Sequence, residues 1–330
     1  NISSDELNRY LNEGLAMGQA SNAIDYKLAD GLRYRYEVEN CVKEMAGQDV
    51  KGKLKTAGVD KIVSIKVKEK ENKNKIAVLY AEGEIRDEDS SSPFSADEQV
   101  ISEEMANKLR KLKDDDDVKA VVFRVNSPGG SAYISEQIWK EVVELKAKKP
   151  IVVSMGNYAA SGGYYISCAA NKIVAERTTL TGSIGVFGVV RNFTGTFDKV
   201  GVTTDIVKTN TFADLGDISR PMREDEKALI QRGVEQTYDL FLTRCADGRG
   251  MTKAEIDSIG QGRVWTGEQA LERGLVDQLG GMDDAIKEAA TLAELTDYSV
   301  IVADGPKDFF TKFMEKQMDE AKVSIAKSVM

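Results

Sequence analysis

Apolar and polar positions change rhythm near residue 76. From there, short apolar runs recur: IAVLYAEGEI (76–85), AVVFRV (120–125), IVVSM (151–155) and KIVAE (172–176). Segments of helical period separate them, predicted at 99–113, 134–147, from near Ser161, and at 222–248, with shorter helices to Leu295 and a strand at 298–304. Buried strands alternating with helices predict βαβ units and a parallel sheet. Before the change of rhythm, the chain reads as helical up to about Gly47. The basic stretch KIVSIKVKEKENKNK (61–75) reads as a strand running into a linker. The polar stretch RDEDSSSPFSADEQ (86–99) reads as a loop. After Asp304, the uneven stripe of Phe309, Phe310, Phe313, Met314 and Met318 predicts an amphipathic helix over 306–330. Its apolar side is expected on its own domain or a neighbouring subunit, with membrane contact as the alternative. The expected division is therefore 1–75, 76–305 and 306–330.

A faint internal echo refines the first segment. QALERGLVDQLG (269–280) resembles NAIDYKLADGL (22–32), AEIDSI (254–259) resembles DELNRY (5–10), and AIKEAA (285–290) resembles CVKEMA (41–46), all in the same order. Residues 1–47 are thus expected to be the end of a preceding repeat. The competing reading is chance similarity between amphipathic helices.

Composition removes several function classes. The 330 residues are 42% hydrophobic and 30% charged, as in a globular domain, and the net charge of −9 argues against a nucleic-acid partner. Three scattered cysteines without a CxxC pair, and no histidine at all, argue against a disulfide framework and a zinc site. Cys168 reads as a small buried side chain. The run DDDD (114–117) reads as a solvated turn rather than a metal site. No cofactor is expected. No apolar run reaches membrane-spanning length, and the first residues are not expected to form a signal peptide. The start at Asn1 is read as that of a fragment whose anchor would lie elsewhere.

Candidate chemistry centres on NYAASGGYY (157–165). Ser161 stands among Ala159, Ala160, Gly162 and Gly163, which leave room for a substrate backbone and bare the N–H groups of a helix start. Such donors, with the helix dipole, stabilise an oxyanion. A serine needs a proton acceptor, and the lack of histidine rules out a Ser-His-Asp triad, leaving a lysine held neutral by burial. A second glycine turn, NSPGGS (126–131), follows the strand at 120–125, and a third, TGSIGVFG (181–188), follows the strand at 172–176. Parallel sheets carry their sites at the carboxyl ends of strands. One turn is expected to supply an oxyanion donor, another the serine, and Ser183 a hydrogen bond to the base. Ser154, Ser167 and Lys172 read as structural or solvated.

NSPGGS, AASGGYYISCAANKIVAERTTLTGSIGVFG and GRVWTGEQALERGLVDQLGG together resemble the motifs, in order, of the signal peptide peptidase A (protease IV) family. The likeness runs from about Ile76 to Gly281. The NSPGG turn is shared with Clp-type peptidases and is broadly similar to the crotonase superfamily. The resemblance implies a Clp-peptidase/crotonase-like βαβ superhelical α/β fold with mainly parallel sheets. It implies Ser161 as nucleophile, the Gly130 and Gly162 amides as oxyanion donors, and Ser183 as the hydroxyl contacting the lysine. In the family's short form that lysine falls on Ala213 of this chain, so the short-form base is missing; Lys208, five residues earlier, is the substitute to weigh. The family's long form is a tandem repeat with the lysine in the first half. The echo at residues 1–47 fits the end of such a half, so this chain would hold a nucleophile without its base. The resemblance further implies apolar peptides such as signal peptide remnants as substrates, homo-oligomers, and attachment to the bacterial cytoplasmic membrane with an extracytoplasmic site. Two rivals remain at this point: a non-catalytic peptide-binding or scaffold half, and a crotonase-type acyl-CoA enzyme.

Overall fold

A computed structural model of the chain describes residues 2–12, 21–56, 72–87 and 99–303, in two units, 1–69 and 70–330. The first unit holds α1 (Ser4–Asn12), α2 (Asn22–Asp25) and α3 (Arg35–Met45). Ser3 and Glu6 cap α1 reciprocally: the Glu6 N–H donates to Ser3 Oγ at 3.2 Å and the Ser3 N–H to Glu6 Oε2 at 3.0 Å.

The second unit begins with β1 (Lys75–Glu82), β2 (Glu84–Ile85), β3 (Val100–Ile101), α4 (Glu104–Asp114), β4 (Val118–Ser127), α5 (Ala132–Lys146) and β5 (Ile151–Ala160). It continues with α6 (Gly162–Tyr165), β6 (Lys172–Ala175), β7 (Leu180–Gly182), α7 (Thr194–Val200), α8 (Glu224–Arg249) and α9 (Lys253–Ile259). It ends with β8 (Val264–Thr266), α10 (Gly267–Glu272), β9 (Gln278–Leu279), α11 (Met282–Leu292) and β10 (Ser299–Val302). The main sheet runs β10-β1-β4-β5-β6-β9, with β7 paired to β5 and β8 to β7. Every pairing is parallel except β7–β8. The expected α/β fold with a mainly parallel sheet is therefore present.

Unbroken apolar runs follow from burial on both faces. Along β1, Ala77 and Leu79 join the larger core with Phe123, Ile138, Leu145, Tyr164 and Phe241, whereas Ile76 and Val78 join a smaller core with Val122, Val152 and Val174. The buried residues that α11 sets on this second face are all small, Ala285, Ala289 and Ala290, with Met282 and Ile286 partly buried against the same core.

Three sequence expectations change. The run 76–85 breaks at Gly83, whose φ of 104° turns β2 out of the main sheet to pair with β3. That pairing takes Val100 and Ile101 out of the expected helix, which begins at Glu104. The short strands β7, β8 and β9 were not anticipated. The tail at 306–330, and most of 61–75 and 86–99, lie outside the described residues.

The echo between the units has a structural counterpart at a constant shift of 247 residues. Leu28 N–H donates to Ala23 O as Leu275 N–H does to Ala270 O, and Gln48 N–H donates to Lys43 O as Leu295 N–H does to Ala290 O. Tyr34 N–H meets the Glu37 carboxylate as Gly281 N–H meets that of Asp284. Positive φ recurs at Lys27 and Gly274, and at Gly47 and Glu294. At this shift residues 41–46 align with 288–293 rather than 285–290, and residues 5–10 with 252–257 rather than 254–259. The match rests on backbone turns, which side-chain identity records poorly.

The two helices sit in opposite surroundings at matched positions. Ala289 is fully buried, whereas its counterpart Val42 is 44% exposed. Ala289→Leu is expected to cost about 1–3 kcal/mol by overpacking, and Val42→Leu to change stability by less than about 0.5 kcal/mol. Urea unfolding followed by circular dichroism checks both.

Candidate active site

The sheet register brings three turns to one edge. Ser127 in β4 stands opposite Ala159 in β5, and Ala160 opposite Gly182 in β7. The NSPGG turn, Ser161 and Ser183 therefore leave the carboxyl ends of three neighbouring parallel strands at one level. The third turn follows β7 and not the strand at 172–175, because β5 pairs first with β6 through Val152–Ser154 and then with β7 through Tyr158–Ala160.

Backbone contacts press the first two turns together. A β-carbon on Gly129 (φ 102°) would lie 2.7 Å from Gly162 N and 2.8 Å from Ser161 Cβ. One on Gly130 (φ 145°) would collide with the Ile85 carbonyl oxygen. Ile85 N–H donates to Gly129 O at 2.8 Å and Ser131 N–H to Ile85 O at 2.7 Å, so β2 clamps the turn from outside. A β-carbon on Gly162 would stand 3.2 Å from Gly130 N, which places the two glycine backbones side by side. Neither the Gly130 nor the Gly162 N–H donates to another described backbone group. Two neighbouring unspent donors beside a hydroxyl suit an oxyanion.

Ser161 itself is strained. Its φ of 53° and ψ of −120° belong to a region that side chains avoid. The conformation is held from both sides: Ser161 N–H donates to Gly182 O at 3.0 Å, and Tyr165 N–H to Ser161 O at 2.9 Å. Ser183, at φ 46°, is fixed by its N–H bond to Arg263 O at 2.7 Å. The loop carrying Arg263 is anchored by Tyr238, whose hydroxyl donates to Asp257 Oδ1 at 2.6 Å and accepts from Gln261 N–H at 3.0 Å. Burial, with the Asp257 carboxylate, pushes that phenol up to about 12, so it stays protonated.

Several supporting residues were not singled out from sequence. Asn126 Oδ1 accepts from Tyr158 N–H at 3.2 Å and ties the NSPGG turn to the end of β5. Ser127 Oγ accepts from Gly129 N–H at 3.1 Å, and Thr181 Oγ1 donates to Ala159 O at 2.7 Å. Their signal was the motif itself, where a hydrogen-bonding residue beside each glycine turn holds the backbone the glycines permit. Ser154 and Ser167 are fully buried and hydrogen-bonded, and Cys168 is buried, as expected. Lys172 is 42% exposed and lies 3.8 Å from Glu288.

Ser161 and Ser183 line one cavity of about 960 Å³ together with Gly130 and Gly162. Its other walls include Tyr165, Val186, Phe187, Val234, Tyr238 and Phe241, and no lysine is among its described lining residues. Lys208 is not there. Its Nζ pairs with Asp214 Oδ1 at 3.0 Å, inside a charged knot in which Arg220 bridges Asp214 at 2.7 Å and Glu226 at 2.6 Å. Its ammonium is engaged with that carboxylate and lies outside the lining that holds Ser161 and Ser183.

Residues 143–296 match Peptidase family S49, and residues 91–184 match Clp protease. Protease 4 of Salmonella typhi is 40% identical over 277 residues, covering 84% of this chain and 44% of that protein. An Enterococcus faecium relative bearing the name signal peptide peptidase SppA is 38% identical, with 74% of this chain and 71% of that protein covered. The chloroplastic serine protease SPPA of Arabidopsis thaliana is 33% identical over 88% of this chain and 43% of that one. This chain spans under half the length of the Salmonella and Arabidopsis relatives. Among solved structures, a mutant ClpP1 from Listeria monocytogenes aligns at 15% identity with a TM-score of 0.41, over 64% of this chain and 94% of that one.

Two outcomes test this geometry. Ser161→Gly, which removes the side chain that disfavours the conformation, is expected to raise unfolding stability by about 1 kcal/mol, while Ser161→Ala keeps the strain and gains none; thermal melts compare them. The second concerns the charged knot. The Lys208 and Arg220 hydrogen bonds hold the Asp214 carboxyl far below the usual range, and the Arg220 hydrogen bond first of all lowers Glu226 to about 2. Depressed carboxylates contribute stability that is full above their ordinary values and lost as pH falls through the folded ones. The protection of residues 206–222 against hydrogen exchange, relative to the intrinsic rate at each pH, is therefore expected to fall between about pH 4.5 and 2, and Glu226→Gln to lower it already at pH 6.

Proposed function

Because the chain belongs to peptidase family S49, we propose that it is the nucleophile-bearing part of a serine peptidase whose general base comes from another segment. The observation that carries this reading is a strained serine beside two unspent glycine amides, in a cavity whose described lining has no lysine. Ser161 Oγ attacks a peptide carbonyl and its proton passes to a neutral amine. The Gly130 and Gly162 N–H groups receive the oxyanion. The C–N bond then breaks, the leaving amine takes the proton from the ammonium, and the acyl-enzyme ester is hydrolysed by water, whose proton the amine, neutral again, accepts before returning it to Ser161 Oγ. Ser183, on the cavity wall, orients that amine.

The amine belongs to a lysine of a preceding repeat, as in a tandem form of which residues 1–47 are the closing helices. The turn geometry shared at a shift of 247 residues supports this placement. The aromatic and aliphatic cavity suits short apolar peptides, signal peptide remnants among them. Action at the extracytoplasmic side of a bacterial membrane, and homo-oligomers, complete the proposal. Among the described residues no helix is long and apolar enough to cross a membrane.

The lysine-free lining also favours a second reading, a half that binds peptide without turning it over. Turnover separates the two. The chain alone is expected to hydrolyse a peptide ester about 10²–10⁴-fold more slowly than the chain supplied with its upstream half. Fluorophosphonate should then label Ser161, and Ser161→Ala should abolish both signals. Full activity of the chain alone, lost in Lys208→Ala, would refute the divided site; peptide binding without turnover in the restored protein favours the scaffold.

A further inference from the structure

Two buried rings share the cavity with Ser161. Tyr165 is one helical turn beyond the nucleophile, and its ring lies 4.7 Å from that of Phe241 at an angle of 36°. The neighbouring Tyr164 satisfies its hydroxyl with the Leu275 carbonyl at 2.9 Å. Tyr165 does otherwise. Its hydroxyl donates to Glu136 Oε2 at 2.6 Å, and Arg244 Nη2 donates to Glu136 Oε1 at 2.5 Å. The Arg244 guanidinium in turn covers the Trp139 ring at 3.9 Å. The ring is thus pinned through an ion pair between α5, which follows the NSPGG turn, and α8, which lines the cavity. Charge-assisted bonds of this kind are about twice as strong as neutral ones. Burial raises the phenol far above its usual value, so the donor is kept.

We propose that Tyr165 is a specificity-determining residue: its ring, backed by Phe241 and locked by Glu136 and Arg244, is the fixed floor of the pocket for the substrate side chain next to the scissile bond, and it limits that side chain's size. This rests on the reading of Ser161 as nucleophile. A floor fixed by packing alone would shift to admit a larger group. One fixed by an ion pair charges the substrate for every added carbon.

Binding tests it without requiring turnover. N-acetyl tripeptide alcohols ending in alaninol, leucinol or phenylalaninol are titrated calorimetrically into the full chain and its variants. In Phe241→Ala and Tyr165→Leu, the affinity for the phenylalaninol ligand relative to the alaninol ligand should rise at least about tenfold. Tyr165→Phe, which keeps the ring but removes its bond to Glu136, should raise that ratio by more than about twofold and by less than Tyr165→Leu does. An unchanged ratio in Phe241→Ala, with native circular dichroism, overturns the proposal while leaving Ser161 labelling by fluorophosphonate in the restored protein intact. Loss of that labelling, with no ligand bound, overturns the reading of Ser161 and the proposal together.

Discussion

The site depends on one steric constraint: the backbone of the 128–130 turn touches the backbone of Ser161 and Gly162 with no space for a β-carbon between them. Gly129 and Gly130 meet it by taking positive φ, and Ser161 meets it by accepting a strained one. Contact at this distance is what turns two unrelated loops into neighbouring N–H donors. It is possible only because β4, β5 and β7 end level, which the register Ser127–Ala159 and Ala160–Gly182 enforces. The sheet sets the level, and the glycines close the gap.

Rigidity around the serine is supplied on three sides. β2 holds the turn through Ile85, the loop at 257–263 holds Ser183 through Tyr238, and the ion pair of Glu136 and Arg244 holds the ring of Tyr165. The first anchor is backbone hydrogen bonding and the third a charged pair, while the second is the hydroxyl of Tyr238, a side chain of the cavity wall. The cavity keeps its apolar walls and its two bare amides. A preorganised set of dipoles needs no rearrangement when charge develops on the substrate.

How far this was legible follows from which part of the chemistry is written in single residues. Ser161, the glycine turns, the long helix near 222–248 and the buried strands each have a local signature of residue type and period. β7, β8 and β9 have none. LTG, VWT and QL are too short for a period, and their strand character comes from partners remote in sequence. The partner of Lys208 was hidden for a similar reason, since the knot with Asp214, Arg220 and Glu226 exists only once the segment folds back to the start of α8. The register of the internal echo was misread by three residues where the helices carry different side chains for different surroundings. Val42 faces solvent and Ala289 faces a sheet, so only capping and turn geometry preserve the correspondence.

Under the proposed function, a nucleophile built without its base has an energetic logic. A lysine amine is a base near neutral pH only when burial lowers its pKa by several units. A lysine carried permanently in the cavity would impose that desolvation cost on the folding of this unit, beside the strain already stored at Ser161. If the amine arrives with another segment, the cost falls on assembly instead, where the newly buried interface offsets it. On that proposal the serine would meet a neutral amine only in the assembled state. The ion pair of Lys208 with Asp214 fits the same reading, because it engages the lysine five residues before Ala213 away from the cavity lining.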